Sequence, residues 1–354
     1  MPRTDADADA DAVALAVTPA GPGPDLPRPG APLRALRSAL AALGSALAVL
    51  VSATAVHALP APPRSLVLSD PRVVAHYDLA AGRTPENLAV EPDGSLDLTL
   101  AAARQVAHYD AFRGTRVLAT LPAPARPATP VLGRAVTTGL VRTADGALYV
   151  NYATGTADLT GVWRITPDGE VTRFAALPAD GLPNGLAVDE ERGALYATDS
   201  VLGRVWRIAL DDGAVSTWAA GPALRPDGSV GANGVKVRDG AVWVANTDRG
   251  TLLRIPVRDD GGAAPLTVHA TGLAGIDDFA FAGPGDLVLA ALHLGGEIAV
   301  VHADGSHHVL LSGRDGLSNP AAVAVVGRTV YVASAAFTTL RDPNLLRARL
   351  DVRP

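Results

Sequence analysis

The chain is 354 residues long, which leaves room for two average domains or one large all-β domain. A formal net charge of −6, with arginines scattered rather than clustered and Lys236 the only lysine, argues against a nucleic-acid partner. There is no cysteine, which excludes disulfides, thiolate metal sites and cysteine nucleophiles. Aromatic residues make up only 4% of the chain while Gly and Pro number 36 and 28, a balance that suits many short strands joined by tight turns.

Residues 1–62 do not read as part of a globular core. An alternating Asp-Ala run from Asp5 to Asp11 and a Pro/Gly-rich stretch from Pro19 to Pro32 read as disordered. Arg28, Arg34 and Arg37 then precede an apolar run from Ala39 to Val56, and Val56-His57-Ala58 offers a signal-peptidase site. The expectation is an exported protein, secreted or extracytoplasmic. An uncleaved run of this length would instead serve as a membrane anchor.

Residues 63–354 repeat. Pro85-Glu86-Asn87-Leu88-Ala89-Val90 leads through Asp93-Gly94 into Leu96-Asp97-Leu98-Thr99, and Thr138-Gly139-Leu140-Val141 through Asp145-Gly146 into Leu148-Tyr149-Val150. Pro183-Asn184-Gly185-Leu186-Ala187-Val188 is followed by Ala194 to Asp199, and Ala232-Asn233-Gly234-Val235-Lys236-Val237 by Ala241 to Asn246. Ile276-Asp277-Asp278-Phe279 leads into Leu287 to Ala290, and Pro320-Ala321-Ala322-Val323 into Val330-Tyr331-Val332. The period of about 44–52 residues is that of propeller blades. Each copy reads as four antiparallel strands, the first two joined by a turn in which Gly supplies positive φ. The last copy lacks a fourth strand of its own, and the segment Arg72 to Tyr77 has the character to supply it, closing the ring without a free sheet edge. The predicted fold is all-β, a six-bladed β-propeller.

Aligning the copies brings one position into register just before each apolar inner strand: Glu86, Thr138, Asn184, Asn233, Asp277 and Ala321. In a propeller, equivalent inner-strand positions form a ring at the channel mouth. Two carboxylates and two amides there make an oxygen-only donor set, which suits a divalent cation, calcium foremost, and disfavours zinc or copper. Asn or Asp before Gly is also common simply in turns, and Asn184-Gly185 and Asn233-Gly234 admit that reading. A turn does not explain Glu86, nor the like-charged neighbours Asp277 and Asp278.

With these residues in place the chain resembles the senescence marker protein/gluconolactonase family, the six-bladed propellers that include regucalcin. The resemblance implies that Glu86, Asn233 and Asp277 bind the cation and that Asn184 completes the pocket and touches substrate. The chain departs from the family's enzymes at Pro85-Glu86-Asn87-Leu88, where they usually carry Glu-Gly-Pro, and at Asp277-Asp278 in place of Asp-Gly. It has no arginine just before Asn184, where it reads Asp180-Gly181-Leu182-Pro183. It therefore reads as a diverged, secreted member.

The implied chemistry is hydrolysis of a small lactone or ester. Asp277, alone or through Asp278, would take the proton of an attacking water, and the cation would polarise the carbonyl. Asn184, Asn246 and His293 are the candidate substrate-binding residues, the last two at the ends of second strands that return to the same face. His293 could relay a proton as a neutral imidazole, or be an ordinary polar residue at a loop edge. No Gly-x-Ser-x-Gly motif offers a serine nucleophile. The competing class is a non-catalytic extracellular binding module with a structural metal. A lyase-type propeller is a third class, but the sequence offers no convincing pair of catalytic Glu or His for it.

Overall fold

The six repeats become six four-stranded antiparallel sheets in a computed structural model, which describes residues 65–353 apart from residue 284. The leader, the candidate signal peptide or anchor and the cleavage motif of residues 1–62 lie outside the described residues. Among the described residues no helix is long and apolar enough to cross a membrane.

The 24 strands are numbered β1–β24 in chain order. The innermost strands are β2 (Pro85–Val90), β6 (Val136–Arg142), β10 (Pro183–Asp189), β14 (Ala232–Arg238), β18 (Ile276–Phe281) and β22 (Pro320–Val326). They contact one another in a closed circuit, each touching the inner strand of the next blade and β22 returning to β2. The sixth blade is closed from both ends of the chain. Its order is β22, β23 (Thr329–Ser334), β24 (Asn344–Arg353), then β1 (Ser65–His76), so the N-terminal strand supplies the missing outer one. That hydrogen-bonded seam leaves no unpaired edge at the junction.

Burial is greatest in the second strands and least in the outer ones. Second strands such as Leu148–Ala153 and Ala241–Asn246 are buried at every position, whereas the outer strand Val215–Ala220 has none. A second strand is covered on both faces by neighbouring blades, so its sequence runs continuously apolar instead of alternating. The apolar clusters lie between blades: Trp243 and Leu252 of the fourth pack with Phe279 and Leu292 of the fifth. Trp163, Trp206 and Trp243, which occupy repeated strand positions, are all buried.

All six inner strands carry a β-bulge at the same place, and in five of them two residues oppose one; in β22 the extra residue is Ala321 alone. In β10, Asn184 and Gly185 together oppose the single residue Thr198, and Glu86-Asn87, Thr138-Gly139, Asn233-Gly234 and Asp277-Asp278 repeat the arrangement. A bulge re-aims side chains and bends the strand. Asn184-Gly185 and Asn233-Gly234 are thus not turns, and neither glycine has positive φ. Their lack of a side chain answers a different need: a Cβ on Gly185 would strike the carbonyl oxygen of Asn233 in the next blade, and one on Gly139 that of Asn184.

Toward the opposite end of β2, its pairing partner Asp97 lies 2.9 Å from His108 (Asp97 Oδ1 to Nδ1) and is only 1% exposed. Burial, then hydrogen bonding with Glu91, pushes the Asp97 carboxyl up to about 7, with His108 opposing.

Two outcomes are expected. Gly185→Ala should cost about 1–3 kcal/mol by overpacking alone, measured as a urea midpoint shift. Asp97 holds its proton to a higher pH when folded than when unfolded, so the folded chain binds more protons across roughly pH 4–7 and stability falls as pH rises through that window. Asp97→Asn should flatten that part of a stability-against-pH curve; an unchanged slope would remove Asp97 as its source.

Candidate metal centre

The bulges set the site. Glu86, Asn184, Asn233 and Asp277 are each buried, 5–8% exposed, yet all four line one cavity of about 390 Å³ at the channel mouth, together with Thr138 and His293. Thr138 donates its hydroxyl to the carbonyl of Pro183 at 2.9 Å, so it ties the second blade to the third. The sixth position, Ala321, brings no polar group.

One register position further out orients the ring. Ser200, Thr247 and His293 each follow directly on a second strand, beside Asn184, Asn233 and Asp277 respectively. Ser200 donates its hydroxyl to Ala232 O at 2.7 Å and Thr247 to Ile276 O at 2.7 Å. With their protons committed, both hydroxyls accept, and they receive Asn184 Nδ2 at 3.0 Å and Asn233 Nδ2 at 2.9 Å. Fixing the two amide nitrogens fixes the planar amides and leaves both Oδ1 atoms as the groups offered elsewhere. Asn233 Nδ2 also donates to Asp277 Oδ1 at 2.6 Å. On the other side Asp277 Oδ2 lies 3.6 Å from His293 Nδ1.

The first blade has only Ala101 at the register of Ser200, so Glu86 has no such partner, and its Oε2 is buried without a hydrogen bond. Burial drives the Glu86 carboxyl well above the usual carboxylate range, and the nearby charges of Asp277 and Asp278 add to it. Asp277 is raised by burial and by Asp278, against the hydrogen bond from Asn233. Buried like charges in one cavity cost free energy that an opposite charge offsets. An orphaned carboxylate oxygen, a second buried carboxylate and two amide oxygens therefore fit a hard divalent cation. Among the described residues no group of three or more His, Asp or Glu side chains is arranged as a metal site, so a cation here depends on the amides as well. His293 is held neutral, its imidazole lowered to about 4 by burial, and its Nδ1 has no hydrogen-bond partner.

The structure places the other two candidates apart from this cavity. Asp278 faces Lys236, whose Nζ donates to both carboxylate oxygens at 2.6 and 2.7 Å. Asn87 Nδ2 donates to the same group at 3.2 Å, linking the first blade to the fifth across the channel beneath the ring. Asp278 is thus the counter-ion of the chain's only lysine, without a free oxygen for proton transfer. Asn246 holds a loop, with Nδ2 on Ala223 O and Arg225 O and Oδ1 accepting from Arg249 N. Asn184 and His293 do line the cavity. The sequence reading missed Lys236, Ser200 and Thr247; extending the repeat alignment by one residue past the second strand would have found the last two.

No protein-family model matches the sequence, and no curated protein matches it at the sequence level. Solved structures do resemble it. A gluconolactonase from Xanthomonas campestris shares 17% identity, with 83% of this chain and 99% of that one covered and a TM-score of 0.58. The calcium-binding protein regucalcin from Agrobacterium tumefaciens shares 16%, with 80% and 95% covered and a TM-score of 0.59. Virginiamycin B lyase from Staphylococcus aureus shares 14%, with 81% and 100% covered and a TM-score of 0.54. Such likenesses establish the propeller fold.

Lys236→Met should lower stability by about 2–4 kcal/mol, because Asp278 would be left buried and unpaired while the partly exposed lysine moderates the loss. Adding Asp278→Asn should recover part of it. Urea unfolding of the two variants checks this, and a loss in Lys236→Met well below the range would mean the pair does not hold the channel together.

Proposed function

We propose that the protein is an exported, metal-dependent hydrolase of a small lactone or ester, a diverged relative of the gluconolactonase and regucalcin propellers. The observation that carries this reading is the buried, unpartnered Glu86 carboxylate facing the same cavity as Asp277, Asn184 and Asn233. Glu86, Asn233 and Asp277 would hold the cation, calcium foremost, with Asn184 Oδ1 at its edge toward the substrate. When bound, the cation supplies a fixed positive charge that polarises a carbonyl and stabilises the oxyanion. The export part of the reading rests on the apolar run Ala39 to Val56 and the Val56-His57-Ala58 motif.

The protein's own residues account for the rest of the step. Asp277 accepts the proton of the attacking water as that oxygen bonds to the carbonyl carbon. The acyl carbon–oxygen bond then opens, and the same proton passes to the departing alkoxide, so no net charge is left behind. Neutral His293 stands 3.6 Å from Asp277, beyond hydrogen-bond distance, and does not compete for its proton. Asn184, held by Ser200, positions the substrate.

The test is hydrolysis of a lactone panel by the full chain with calcium, with a chelator, and in an Asp277→Ala variant. Turnover should require the metal and fall by at least about 10²-fold in the variant. Calcium raising the melting temperature with no turnover of any lactone would overturn the hydrolase and leave a binding module with a structural metal.

A further inference from the structure

Resting on that hydrolase reading, we propose that the substrate carries an apolar alkyl or aryl substituent and that the mouth of the cavity is built to hold it. Leu294 and Leu340 are each 67% exposed, Phe337 is 41% and Leu132 is 40%, and all four line the cavity whose floor is the polar ring. They come from loops of three blades: Leu132 precedes β6, Leu294 follows the second strand of the fifth blade, and Phe337 and Leu340 join β23 to β24. Single exposed leucines need no explanation, but several converging on one opening mark a surface that binds something apolar.

The loops bearing these residues are held in uncommon conformations. Val131, Ala336 and Leu340 have φ of 66°, 56° and 51°, the left-handed region that side chains disfavour and a β-branched valine most of all. Strain of this kind gathers where the chain must present a surface. Phe337 also stands 5.8 Å from the His293 ring, so the apolar wall begins directly beside the polar floor. Arg134, Ser229 and Asp248 also line the cavity, but the exposed hydrocarbon of Leu132, Leu294, Phe337 and Leu340 offers a polyhydroxylated ligand no hydrogen-bonding partner. A ligand with one polar acyl group and one hydrocarbon arm satisfies both ends.

The experiment uses the full chain with calcium and two matched series. Hydrolysis is followed on γ-lactones with lengthening alkyl substituents and on gluconolactone, and calorimetry measures binding of the corresponding γ-lactams, which lack the scissile ester. Each added methylene should raise kcat/KM and tighten lactam binding about twofold to fourfold until the chain leaves the cavity. Leu294→Ser and Phe337→Ser, at exposed positions and with melting temperatures verified, should flatten that gradient. Chain-length dependence in lactam binding without hydrolysis would sink the hydrolase and keep the apolar site. Hydrolysis with no gradient, or with gluconolactone preferred, would sink the apolar site alone. A dimer that disperses in Leu294→Ser, with no lactam gradient in either chain, would make the mouth a contact between copies and overturn the proposal.

Discussion

Three of the six inner strands pass closer to the next blade around the channel than a side chain permits, and the rest of the molecule follows from how that crowding is resolved. In the second, third and fourth blades the second bulge residue is Gly139, Gly185 or Gly234, and the neighbouring blade's backbone, or the Asp278 carboxylate beside Gly234, fills the space where a Cβ would stand. In the first and fifth blades that place is taken by Asn87 and Asp278, whose side chains reach each other across the channel. Three blades yield space and two fill it. The bulge that makes the close approach possible also presents the residue before it to the cavity.

This arrangement separates the buried charges into two layers with different fates. Below, Asp278 is matched by Lys236, both oxygens in contact with one ammonium group and Asn87 bracing the carboxylate. Above, Glu86 and Asp277 have no cationic side chain, only an amide and a neutral imidazole. The one lysine of the sequence lies beneath the ring, so the ring carboxylates have no lysine beside them. The two layers therefore differ in whether their charge is matched within the chain.

Much of this was legible from residue order, because a propeller converts a sequence period into a spatial ring. The blade count, the closure by the segment before the first repeat and the six-residue ring all follow from the period of the apolar pairs. What period alone did not reveal is that the second residue of the bulge faces elsewhere. Asp277 and Asp278 differ by one position, and the bulge they share sends one to the cavity and the other to Lys236. Asn246 is a related case: it ends a second strand, and its amide satisfies the loop carbonyls of Ala223 and Arg225.

The residue directly after each second strand is where the chemistry of the ring is tuned. In the third blade a serine holds its amide, in the fourth a threonine does the same, and in the fifth a histidine stands beside a carboxylate. In the first an alanine leaves Glu86 free. A hydroxyl at this position turns an amide oxygen outward and locks it, so the amides act as fixed dipoles and need no reorganisation when a charge arrives. An imidazole sets a neutral neighbour beside a carboxylate, and an alanine leaves a carboxylate without a hydrogen-bond partner. Four equivalent backbone positions therefore hold two oriented amides and two buried carboxylates in different surroundings, an inequality imposed on a nearly symmetric scaffold.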